Sequence, residues 1–190
     1  MRRLIICFIA LAGLSCQRVA TGQLPVLPVG GDFTLTDYNS QRFELSSLRG
    51  KAVIILFGYT SCPDACPTTL SKLSSVYKHL GDDAKRVKTL YVSVDPERDT
   101  PAVLKEDLGS FSVDALGLTG TKAEIDKVVA LYGAEYEIIP TPDSVQKYSV
   151  AHTTTLYALD AAGRTRLEFP YDATVDQIVK GLQAILSAHT

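Results

Sequence analysis

Cys62 and Cys66 stand four positions apart in Phe57-Gly58-Tyr59-Thr60-Ser61-Cys62-Pro63-Asp64-Ala65-Cys66-Pro67, where an apolar run gives way to helical spacing. If a helix starts near Pro63, residues four apart share one face a turn apart, so both sulfurs can reach one metal ion or close a disulfide. His152, in Tyr148-Ser149-Val150-Ala151-His152-Thr153 just ahead of an apolar run, is the candidate third ligand. Two thiolates select a soft ion, copper(I) or zinc, while an imidazole suits copper in either oxidation state. Three ligands fall short of the four that close a structural zinc site, which favours copper, one ion per chain. A structural disulfide is the competing reading. Across four residues it would close too short a loop to remove much unfolded-state entropy. Prolines directly after both cysteines stiffen the strand-to-helix turn and present the sulfurs near the surface.

The amino terminus indicates where such a site would work. Arg2 and Arg3 precede an apolar stretch over 4–14, and then come Gly13-Leu14-Ser15-Cys16, the order of an export signal. The stretch is shorter than the roughly 20 apolar residues needed to span a bilayer. Cys16 resembles the lipidated cysteine of a bacterial lipobox, although Gly13 stands where leucine is usual. Ordinary cleavage and a retained anchor are therefore also open. The expected division is an export signal over 1–15, a membrane tether over 16–31 and one domain over 32–190, on the periplasmic face of the bacterial inner membrane. Residues 17–31, with Gly22, Pro25, Pro28, Gly30 and Gly31, lack periodicity, and fully extended they reach about 50 Å. Removing 1–15 takes two arginines and no acid, so the net charge of −2 becomes more negative. With no basic run or aromatic-basic stripe, nucleic acid is not an expected partner. Cys7 leaves with the signal and Cys16 carries lipid, which leaves Cys62 and Cys66 as the free thiols.

The elements that must position the ligands follow from periodicity. Short strands over 33–35 and 42–45 form a leading hairpin, and 52–58 is a buried strand almost without polar residues. Leu70, Leu73, Val76, Tyr77 and Leu80 recur at helical spacing until Gly81. A second apolar strand over 89–94 leads to Asp95-Pro96-Glu97-Arg98-Asp99-Thr100-Pro101, where Asp99 or Thr100 can cap a helix with Pro101 in its first turn. A helix over 122–132 follows. Residues 137–151 then read as a long loop with Pro140 and Pro142, ending at His152 and expected to be ordered by copper. Strands over 153–159 and 165–169 and a closing helix through Val175, Ile178, Val179, Leu182 and Ile185 complete the chain. The fold class is α/β, a mixed central sheet flanked by helices with an extra N-terminal hairpin, in thioredoxin-like order. That order brings the loop ending at His152 beside the cysteine turn.

Gly50-Lys51, the Phe57–Pro67 segment, Ser93-Val94-Asp95-Pro96-Glu97-Arg98-Asp99-Thr100-Pro101, Leu118-Thr119-Gly120-Thr121 and His152 resemble the Sco/SenC family of copper-binding cytochrome oxidase assembly proteins over residues 32–170. The resemblance implies that Cys62, Cys66 and His152 bind copper. It implies a metallochaperone that delivers the ion to, or reduces the cysteines of, the dinuclear centre in cytochrome c oxidase subunit II, with other copper chaperones as further partners and a monomeric domain. Ser40-Gln41 stands where the family commonly has a turn glycine, which affects a turn. A lipid anchor stands where many members use a transmembrane helix, which changes the reach of the domain.

A thiol-disulfide oxidoreductase, cycling Cys62 and Cys66 as a redox pair, is the reading from a different class, and copper(I) binding is compatible with it because the ion needs the reduced pair. A peroxidase needs a single activated thiolate beside an arginine, and Arg98 is the only basic residue in the two main motifs. Asp95 and Asp99 are loop and capping residues, or carboxylates that orient His152 or attract a cation. Tyr59 and Phe57 divide two roles, shielding the metal and filling the core. His79 and His189 read as solvated.

Overall fold

The computed structural model describes residues 24–188. Two short strands, β1 (Thr34–Asp37) and β2 (Arg42–Glu44), pair as the leading hairpin. Its turn puts Ser40 in the left-handed region at φ 61°, while Asp37 Oδ1 accepts from the backbone N–H of Asn39 and Gln41, so a side-chain oxygen steadies a turn that lacks glycine. Next, β3 (Ala52–Gly58) is buried along its whole length, as an apolar run without alternation requires. It is followed by α1 (Ala65–Leu80), β4 (Val87–Ser93), α2 (Pro101–Leu108), β5 (Ala115–Thr119) and α3 (Lys122–Leu131). The chain closes through β6 (Tyr136–Thr141), β7 (Lys147–His152), β8 (Leu156–Leu159), β9 (Thr165–Phe169) and α4 (Val175–Ser187).

Seven strands form one mixed sheet in the order β2-β1-β5-β4-β3-β8-β9, with β3, β4 and β5 parallel and the flanking pairs antiparallel. Strand pleating sends Ile54 and Leu56 to one face, against Leu70, Leu73 and Val76 of α1 and Ile178 and Leu182 of α4. It sends Val53, Ile55 and Phe57 to the other, against Ile125 and Val128 of α3. The result is the expected thioredoxin-like α/β fold with its extra N-terminal hairpin. Among the described residues no helix is long and apolar enough to cross a membrane.

The structure corrects four boundaries. Residues 137–151 are largely not a loop: β6 and β7 pair antiparallel from Tyr136↔His152 to Thr141↔Lys147, and His152 closes the second strand instead of preceding one. The strand expected from 153 begins at Leu156. Periodicity could not show this hairpin because β6 pairs only with β7 and is exposed or half-exposed throughout, so no alternation is imposed on it. Pro140 fits there because an edge strand needs no N–H on its open side. The helix after the cysteines begins at Ala65, not at Pro63. Residues 24–31, expected to belong to a tether, lie along the domain. Leu27 donates to Thr165 O at 2.9 Å, Gly30 donates to Leu131 O at 2.6 Å, and Leu24 packs on the core. Cys16, the rest of the signal and tether over 1–23, and His189 lie outside the described residues.

Candidate metal centre

Sulfur capping places the two cysteines. The first N–H groups of a helix have no partner within it. At α1, Cys66 N–H donates to Cys62 Sγ at 3.4 Å, while the N-cap residue Asp64 makes no side-chain capping bond. Pro67 brings no N–H that needs satisfying. Cys62 therefore sits just outside the helix with its sulfur folded over the helix end, and the four-residue spacing works through a turn closed by Cys62 N–H to Tyr59 O at 3.1 Å. Both thiols are free; Cys66 is buried and Cys62 half-buried.

From the other side, β7 carries His152 to the same point. Cys66 Sγ and His152 Nε2 are 3.7 Å apart, and the ligand atoms of Cys62, Cys66 and His152 all lie within 4.8 Å of one another. His152 Nδ1 lies 3.0 Å from Thr153 O; as donor to that carbonyl it leaves Nε2 free to ligate. Burial lowers the His152 pKa, which favours the neutral ring that a metal requires. Burial likewise pushes the Cys66 thiol up to about 12. Two sulfurs and one imidazole, converging with no carboxylate among them, suit a soft ion such as copper(I).

Phe57 lies within β3 and Tyr59 just past its end, and the two divide the roles of core filling and flanking the site. Tyr59 stands edge-on to the His152 ring, centroids 5.9 Å apart, so it flanks the ligand. Phe57 packs edge-on against Tyr132 and Tyr157 in the core.

The two aspartates support the elements rather than contacting the ligands. Asp99 is fully buried and accepts from Thr60 N–H at 3.0 Å, Thr60 Oγ1 at 2.6 Å and Ser93 Oγ at 2.6 Å, which ties the cysteine loop to the end of β4. Thr100, not Asp99, caps α2. Asp95 accepts from Tyr148 Oη at 2.8 Å and from Arg98 Nε at 2.5 Å. The Arg98 guanidinium lies 3.7 Å from the Tyr148 ring centroid and donates to Tyr148 O and Gln146 O, at 3.1 and 3.2 Å. Asp95, Arg98 and Tyr148 thus clamp the β6–β7 hairpin, and with it His152, to the loop after β4. Sequence reading placed Arg98 and Tyr148 in motifs but missed this clamp, which joins residues fifty positions apart through a hairpin that reads as a loop. It also passed over Tyr91, which looks like one more apolar residue of β4.

Comparison with known proteins agrees with this geometry. Residues 22–187 match the family profile described as SCO1/SenC. The SCO2-like protein of Rickettsia felis is 35% identical over 155 residues, covering 82% of this chain and 76% of that protein. Bradyrhizobium japonicum ScoI, solved with copper bound, is 42% identical with a TM-score of 0.76, over 83% of this chain and 99% of that one. Arabidopsis thaliana ScoI, also solved with copper bound, is 31% identical with a TM-score of 0.77, over 84% of this chain and 99% of that one.

Proposed function

This chain belongs to the SCO1/SenC family, and from that premise we propose that it is a copper carrier whose Cys62, Cys66 and His152 hold one ion for delivery to the dinuclear copper centre of cytochrome c oxidase subunit II. The observation that carries the reading is the convergence of two sulfurs and Nε2 within 4.8 Å, supplied by a capped helix end and a separate hairpin. Cys62 lies at the rim and Cys66 beneath it, so an incoming acceptor thiolate meets Cys62 first and can take the ion by stepwise ligand exchange. His152 rides on the β6–β7 hairpin, which pairs with no strand of the main sheet. Cys16 as a lipid attachment point would keep the domain at the periplasmic face of the inner membrane, near an acceptor that also projects from it. The test is metal analysis of the anaerobically purified domain after competition with a copper(I) chelator. One copper per chain, lost in Cys62→Ser and Cys66→Ser, is expected; retention by both variants would overturn the ligand assignment.

A thiol-disulfide exchange role has its own support. Cys62 is the more exposed of the two sulfurs and Cys66 lies buried behind it, the placement of an attacking thiol and a resolving thiol. In that reaction the Cys62 thiolate attacks a partner disulfide to form a mixed disulfide and expels one partner thiolate. Deprotonated Cys66 then attacks Cys62 and releases the second, so two electrons pass to the partner and this pair ends oxidised. His152→Ala separates the roles, because exchange needs no third ligand.

A further inference from the structure

Tyr91 is fully buried in the core cluster that also holds Cys66, Leu70 and Leu104. Its hydroxyl is buried and makes no well-formed hydrogen bond among the described residues. A buried hydroxyl without a partner costs about 1–3 kcal/mol, and phenylalanine would fill the same space without that cost. The hydroxyl nevertheless faces a polar atom. A side-chain carbon at position 58 would lie 2.7 Å from Tyr91 Oη and 2.8 Å from Cys66 Sγ, so both atoms converge on the gap that Gly58 leaves open. A protonated thiol is a poor acceptor, whereas a thiolate is a strong one. The hydroxyl is therefore underused while Cys66 is a thiol and fully used once Cys66 gives up its proton to bind a metal.

We propose that Tyr91 is a positioning residue of the metal site, donating a hydrogen bond to the Cys66 thiolate from within the core and biasing the bound ion toward copper(I). This rests on the copper-carrier reading. A hydrogen bond on a ligating sulfur withdraws electron density from the sulfur–metal bond, and copper(II) depends on that donation more than copper(I) does. The hydroxyl keeps its proton throughout; the two states of the site differ by one electron on the ion alone. The core position matters as well. Because Tyr91 is locked by packing on all sides, the donor cannot follow Cys66 if the sulfur moves, so it fixes the direction of the sulfur's remaining lone pair. Gly58 is part of the arrangement, since any side chain there would stand between donor and acceptor.

The experiment compares wild type with Tyr91→Phe, which keeps the ring and removes one oxygen. Copper(II) loaded onto the full domain gives a sulfur-to-copper charge-transfer band, and competition titrations give separate affinities for copper(I) and copper(II). In Tyr91→Phe the band is expected to move to lower energy, and the ratio of copper(I) to copper(II) affinity to fall about three- to tenfold, the worth of one charge-assisted hydrogen bond shared unequally between two states. Thermal stability of the metal-free variant is expected to equal or exceed that of wild type, because the oxygen removed has no good partner there. An unchanged band and an unchanged ratio would overturn the proposal. A band shift accompanied by lost stability of the metal-free protein would also overturn it, by showing that the oxygen serves packing. Wild-type protein that takes up no copper would remove the carrier reading first and the proposal with it, an outcome visible without the variant.

Discussion

At the scale of single residues, burial holds Cys66 and His152, the inner members of the proposed metal site, in their uncharged forms. Cys66 is a thiol with its pKa pushed up to about 12, so the ion must displace its proton, while His152 stays neutral because burial lowers its pKa. Copper affinity is therefore expected to rise about tenfold per pH unit through Cys66 alone at every pH below that value, since the free site holds that proton and the loaded site does not. Competition titrations between pH 6 and pH 8 measure it; a flat profile would mean that the ion displaces no thiol proton on binding. His152→Ala is expected to leave formation of the Cys62–Cys66 disulfide intact while copper(I) retention against a chelator falls by tenfold or more and oxidase activity in cells declines. Normal oxidase assembly in the variant would put the thiol exchange role ahead. These three residues were legible in the sequence because soft donors are scarce and their types alone specify the chemistry. Tyr91 was not, because its ring satisfies the apolar pattern of β4 and its oxygen leaves no periodic trace.

At the scale of elements, the third ligand depends on a hairpin with little core of its own. Val150 is buried, but most of β6 faces solvent, and a two-stranded hairpin is marginal by itself. The Asp95–Arg98–Tyr148 clamp holds it from one side, and Tyr136 Oη donates to Asp126 of α3 at 2.6 Å. Arg98→Ala removes the stacked guanidinium and its bonds to Tyr148 O and Gln146 O, and leaves the buried Asp95 carboxylate without its cation. A loss of about 2–4 kcal/mol is expected. The diagnostic readout is local: hydrogen exchange over 136–152 should speed up more than in β3 or β4, and copper retention should fall with it, while the Cys62–Cys66 disulfide still forms. Uniform acceleration across the sheet would show that Arg98 serves the fold as a whole. The central strands and helices were legible because burial on one or both faces writes a period into them. The hairpin was not, because its order comes from side chains elsewhere in the chain and not from its own pattern.

At the scale of the whole molecule, the start of the described chain at Leu24 and Pro25 is held to the domain through a buried ion pair. Arg166 is almost fully buried, pairs with Asp160 at 2.8 Å and donates to Pro25 O at 3.0 Å and to Leu24 O. Asp160 also accepts from Arg164 Nε and from the backbone N–H groups of Ala162 and Arg164, at 2.9 to 3.0 Å. Burial alone would raise the Asp160 pKa, but these hydrogen bonds outweigh it and leave the carboxyl at about 2. Asp160→Asn removes the charge that balances Arg166 and is expected to cost about 3 kcal/mol. Because the carboxyl titrates at about 2 when folded and near 3.9 when unfolded, its stabilisation is complete above about pH 4 and fades as the pH falls through 2. The melting temperatures of wild type and Asp160→Asn should thus differ by a constant amount from pH 7 to pH 5 and converge below pH 4, and residues 24–31 should become the first point of proteolytic cleavage in the variant. A gap that persists unchanged to pH 2, or cleavage elsewhere first, would show that the segment is held by its apolar contacts and not by the Asp160–Arg166 pair.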